Sequence, residues 1–170
     1  MLKRPGKDEY APYYEQYISK VTDEEYEVFL DRQRDEILAL FGEIDEEKAR
    51  YRYAPGKWSL KEVLGHITDT ERVMSYRMLR ISRGDSTLLP GFDQDVFVAN
   101  TSFDELSIED LLNDFKAVRQ ATLTLRRTIA DSAWSRQANV STFDITARGL
   151  AYVIAGHAEH HLTIVKERYL

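Results

Sequence analysis

Cysteine is absent from this 170-residue chain, which excludes disulfides, iron–sulfur clusters, thiolate metal sites and any nucleophilic thiol of its own. A thiol taking part in its chemistry would have to arrive with a co-substrate. Positive charge is in deficit, with 23 Lys and Arg against 29 Asp and Glu and a net charge of −6. No Lys/Arg stripe rises above the scattered background, so no nucleic-acid partner is expected. No apolar run approaches the roughly 20 residues that cross a bilayer, and Met1–Gly6 lacks the apolar stretch of a signal peptide. The expectation is a cytoplasmic protein with no membrane partner. Also missing are a glycine-rich phosphate loop, a His-Glu-x-x-His motif and a Gly-x-Ser-x-Gly elbow.

What remains is a globular composition, 43% hydrophobic and 31% charged, long enough to bury a core. One domain over residues 1–170 is expected, with an aromatic N-terminal arm over about residues 1–21. Four long segments carry helical periodicity. The first spans about Asp23 to Gly42, with Thr22-Asp23-Glu24-Glu25 read as a capping box and Tyr26, Phe29, Leu30, Ile37, Leu40 and Phe41 as its apolar stripe. The second opens at Ser59, with Glu62 as its box partner, and runs to about Arg83. The third runs from Ser107 to about Ile129, and the fourth from a Thr146 cap nearly to Leu170. An irregular crossover of roughly twenty residues begins at Leu89-Pro90-Gly91-Phe92, too long for a tight hairpin. Trp134 to Asp144 reads as a connection with a short strand or turn. The fold class expected is all-α, a four-helix bundle whose long crossover lets helices two and three run parallel, giving up-down-down-up connectivity.

Three of the four histidines crowd into Gly156-His157-Ala158-Glu159-His160-His161, and the fourth is His66. His157 and His161 stand at i and i+4, about 40° apart on the helical wheel and within the apolar face with Leu150, Ile154, Ile164 and Val165. Histidine on an apolar face is commonly a core residue with one satisfied hydrogen bond. Two of them would each need a polar partner, which a dry bundle core seldom supplies. The pair therefore reads equally as a metal clamp. His66 lies on the flank of the second helix, in line with Ser59, Thr70 and Arg77, and becomes a third ligand only if that flank faces the fourth helix; Asp69 and Glu71 are alternatives. Three ligands leave a tetrahedral ion one open position, as catalysis needs. His160 falls at the edge of the apolar face. Glu71 is placed in the middle of the apolar stripe of the second helix. A carboxylate there either orients groups or acts as general base near the metal, or pairs with Arg52, Arg77 or Arg119.

The stretch Lys57-Trp58-Ser59-Leu60-Lys61-Glu62-Val63-Leu64-Gly65-His66-Ile67-Thr68-Asp69-Thr70-Glu71-Arg72 resembles the second-helix signature of the DinB/YfiT-like superfamily. Leu89-Pro90-Gly91-Phe92-Asp93 and Ala155-Gly156-His157-Ala158-Glu159-His160-His161-Leu162 are similar to its crossover and final helix. The resemblance implies an up-down-down-up bundle, frequently a homodimer, with nickel or zinc held by three histidines, which map here to His66, His157 and His161. It implies a metal-dependent hydrolase acting on a small molecule. Two alternatives stand beside this: an S-transferase using a low-molecular-weight thiol, and a non-enzymatic metal-binding bundle associated with stress.

Overall fold

The computed structural model describes residues 2–170. The N-terminal arm makes one 3-10 turn at Pro12–Tyr14 and passes into the short helix α1 (Glu15–Ile18). Helix α2 (Tyr26–Gly42) follows, then the single turn α3 (Glu46–Ala49) and the long helix α4 (Leu60–Ser82). The crossover contains α5 (Gln94–Ala99) and leads to α6 (Ile108–Arg127). A two-stranded hairpin, β1 (Gln137–Val140) and β2 (Phe143–Thr146), then opens directly into α7 (Ala147–Arg168).

Three of the four long helices start at the cap their sequence offers. Ser59 accepts from the Glu62 backbone while the Glu62 carboxylate accepts from the Ser59 N–H, a reciprocal box. Ser107 caps α6 through the Asp110 N–H, and Thr146 caps α7 through the Gly149 N–H. The first helix differs. Thr22 spends its hydroxyl on the Glu24 carboxylate, and Glu25 becomes an N-cap with no side-chain bond, so the expected box at Thr22 does not form and α2 begins three residues late.

Contacts between helix ends fix their directions. Arg83 at the end of α4 reaches Thr128 at the end of α6, and Lys61 near the start of α4 reaches the Leu106 carbonyl just before α6, so these helices run parallel. Arg126 at the end of α6 pairs with Glu27 at the start of α2, which is antiparallel. Tyr169, just beyond α7, donates to the Trp58 carbonyl at the head of α4, antiparallel again. The bundle is thus up-down-down-up, as the long crossover predicts. The connection after Trp134 is the hairpin, and its turn is tied back to the crossover by Ser141 N–H donating to the Leu89 carbonyl.

The core is divided. One apolar cluster holds Phe29 and Leu30 of α2, Met74 and Met78 of α4, Leu123 of α6 and Leu150 to Ala155 of α7. A second holds Ile37 and Phe41, then Leu60, Val63, Leu64 and Ile67, then Phe115, and Ala158, Leu162 and Val165. Between them every long helix contributes buried polar groups at one level: Gln33, then His66, Thr70 and Glu71, then Arg119 and Thr122, then His157. This polar waist carries the candidate site.

Candidate metal centre

His66 from α4 meets His157 and His161 from α7, and one ring nitrogen of each lies within 4.8 Å of the others. Among the described residues no other group of three metal-ligating side chains converges this way. The Nε2 atoms of His66 and His157 are 3.0 Å apart. Two nitrogens bound to one zinc at about 2.0–2.1 Å in tetrahedral geometry stand about 3.3 Å apart, so the spacing fits a shared ion after a small movement. The flank of α4 bearing His66 does face α7, which the helical wheel alone left open. Asp69 and Glu71, the carboxylate alternatives to His66, are both engaged by arginines: Asp69 with Arg72, Glu71 with Arg119.

Aromatic side chains enclose the three rings. The indole of Trp58 packs 4.6 Å from the His66 ring and 6.5 Å from that of His161. Tyr17 of the arm sets its ring edge-on to both His157 and His160, at 5.3 and 5.4 Å. Two glycines make the enclosure possible. A Cβ at Gly156 would stand 2.0 Å from the Tyr17 carbonyl oxygen, a backbone atom that cannot step aside, and one at Gly65 would stand 2.4 Å from the Phe103 ring. Each glycine immediately precedes a histidine of the centre, so the repeated Gly-His pair was a signal in the sequence. Trp58, at the entry to α4, is a wall of the site.

Burial keeps the imidazoles neutral, the form that binds a metal. It pushes His66 down to about 4. His157 and His161 lie well below the usual range, first through burial and then through their histidine neighbours. The sign of the linkage follows. An unfolded chain protonates His66 near 6.5 and the folded one only near 4. Between those values the unfolded state binds more protons, and stability falls as pH falls. Chelator-treated protein is expected to show a lower urea midpoint at pH 5 than at pH 7, with a smaller difference in His66→Asn. An equal pH difference in the two proteins would show that the His66 ring is not held neutral by burial.

Glu71 is 3% exposed and Arg119 fully buried. Arg119 Nε donates to both Glu71 oxygens at 3.0 and 3.1 Å, and Nη2 donates to Oε2 at 3.0 Å. The remaining guanidinium donors go to Gln33 Oε1 and the Leu30 carbonyl. Gln33 in turn donates to the Ala155 carbonyl and the Glu159 carboxylate, at 2.9 and 2.8 Å. One hydrogen-bonded chain therefore crosses α4, α6, α2 and α7, ending on residues that flank His157. Gln33, whose amide joins α2 to α7, had no distinguishing mark in the sequence.

Two cavities reach the histidines. One of about 290 Å³ touches His157 and is lined by Tyr13, Tyr14, Tyr17, Arg77, Phe92 and Ser141 among others. The other, about 350 Å³, touches His161 beside Trp58, Tyr53 and Asp95.

The sequence pattern of the DinB superfamily matches residues 30–165. A protein of Oceanobacillus iheyensis whose name places it provisionally among metal-dependent hydrolases is 23% identical over 127 residues, covering 72% of this chain and 71% of its own. The solved structure of YfiT from Bacillus subtilis, described as a probable metal-dependent hydrolase with an unusual four-helix bundle topology, superposes with a TM-score of 0.75 at 14% identity. That match covers 97% of this chain and 90% of YfiT, and at such low identity it speaks for the fold alone.

Proposed function

The chain belongs to the DinB superfamily, and from that premise we propose that it is a metal-dependent hydrolase in which His66, His157 and His161 hold one nickel or zinc ion. The observation that carries this reading is the convergence of three neutral, largely buried imidazoles from two helices. A hydrogen bond between His66 and His157 would satisfy two ring nitrogens, yet His161 makes no hydrogen bond among the described residues. A shared ion accounts for all three.

An ion held there would supply Lewis acidity, polarising an acyl oxygen and making water acidic near neutral pH. The chain's own residues supply the rest. Trp58 and Tyr17 pack on the rings and shield them in part from water, and Thr70 Oγ1 faces His66 Nδ1 at 3.5 Å. Glu71 acts as a positioning residue rather than as a base, because both its oxygens are committed to Arg119. Through Gln33 that pair holds the stretch of α7 from which His157 projects. The substrate lies in the cavity beside His157.

Protein purified without a histidine tag is expected to carry close to one metal equivalent per chain and to hydrolyse some member of an ester and amide panel. Activity that survives full metal removal would refute the reading. The second cavity supports one other reading, transfer between two small molecules, with a low-molecular-weight thiol entering beside His161. Turnover of an electrophile only when thiol is added, with an inert ester and amide panel, would favour it.

A further inference from the structure

Two arginines are buried in this bundle, and they are treated differently. Arg119 has a carboxylate and an amide, besides the Leu30 carbonyl, for its five donors. Arg77, only 4% exposed, has neither. Its Nη2 donates to the Pro90 carbonyl at 2.6 Å and its Nη1 to the Met74 thioether at 3.4 Å, a weak acceptor. Its guanidinium lies 5.4 Å from the Phe92 ring. No carboxylate among the described residues is within ion-pair distance of it, and burial without a counter-ion pushes its pKa down. Burying a charge without a partner is costly. A buried charge so perturbed, beside a cavity, is a candidate binding group.

The cavity beside His157 provides the place. Arg77 stands on the same flank of α4 as His66 and Thr70, and it is the one cation in a lining that contains no acidic residue. Ser141, also in the lining, holds φ +62°, a left-handed conformation costly for serine and usual for glycine at the head of a tight hairpin turn. That turn keeps the Ser141 side chain against Gly91 at the cavity wall, and its hydroxyl makes no hydrogen bond among the described residues. Tyr14, Phe92, Phe143 and Val153 supply apolar surface.

We propose that this cavity binds a small carboxylate monoanion, its charge received by Arg77 and its apolar body packed on Phe92 and Tyr14. The proposal rests on the metal-centre reading insofar as it makes that carboxylate the substrate. A single guanidinium balances a single negative charge, which favours a carboxylate over a phosphate dianion. A planar guanidinium also matches a carboxylate in a two-bonded arrangement.

The test compares 3-phenylpropanoate, 3-phenylpropanamide and phenyl phosphate by calorimetry, using protein as purified and after chelation. Chelation removes any direct carboxylate–metal bond. Chelated wild type is expected to bind the carboxylate about tenfold or more tighter than the amide, as suits a charge-assisted hydrogen bond of roughly 1.5–3 kcal/mol. Arg77→Met should bring the two within about twofold, with its circular dichroism spectrum and urea midpoint as the folding control. Arg77→Lys should restore part of the preference. Equal affinities in wild type, undetectable carboxylate binding, a preference that survives Arg77→Met, or tighter binding of phenyl phosphate would each overturn the proposal. Metal content is measured on the same samples. Absent metal with an intact preference would count against the centre alone, and full metal with no preference against Arg77 alone.

Discussion

His157→Ala and His66→Ala are each expected to reduce bound metal from about one equivalent per chain to almost none, whereas His160→Ala should retain it. Removing one of three ligands leaves an ion only two imidazoles, and neither Asp69 nor Glu71 is free to substitute. His160 takes no part in the converging group; its ring packs edge-on against Tyr17 and His161. The loss has a second readout. An ion present at a hundredfold over its Kd adds about 2.7 kcal/mol to stability. Wild type should therefore melt higher with added zinc or nickel, and His157→Ala should not respond. Full metal content in a His157→Ala/His161→Ala double variant, by mass spectrometry of tag-free protein, would remove the site.

Glu71→Ala is expected to destabilise the protein by about 3–5 kcal/mol in urea unfolding, because it leaves the guanidinium of Arg119 buried without a counter-charge. The cost belongs to the orphaned charge more than to the lost contact. Replacing both partners, as in Glu71→Leu/Arg119→Met, should therefore recover most of that stability, since apolar side chains of similar volume often match or exceed a buried ion pair. The double variant also tests positioning. If Glu71 and Arg119 serve to hold α7, the stable double variant should load metal more weakly, with Gln33 no longer anchored on its α6 side. Metal affinity equal to wild type would confine the pair to folding.

Much of this was legible in the sequence wherever a local rule had enough residues to act on. Caps at Ser59, Ser107 and Thr146 marked three helix starts, and the long crossover indicated the parallel pair. Thr22 misled because a nearer carboxylate, Glu24, captured its hydroxyl. Helices α1, α3 and α5 run only four to six residues, too short for a 3.6-residue period to be counted. The i,i+4 pair His157 and His161 was visible from spacing, but the choice of His66 over Asp69 or Glu71 came from the family resemblance. A wheel shows which residues share a flank and not which helix that flank meets. For the same reason Arg119 could not be chosen over Arg52 or Arg77 as the partner of Glu71. Arg77 stood in line with His66 and Thr70, but only the packed structure shows that it lacks an acid.

The contact of Tyr17 with Gly156 joins the arm to the last helix, and His66 meets His157 across 91 positions of chain. Contacts of such separation form late, since the intervening loop must close before they reward it. During synthesis the arm with Tyr17 and α4 with His66 leave the ribosome before they have anything to close on. The centre comes into being only when α7 emerges. Ion capture must then await α7, and a chain broken off after Gly156 would carry His66 alone and never present the complete group.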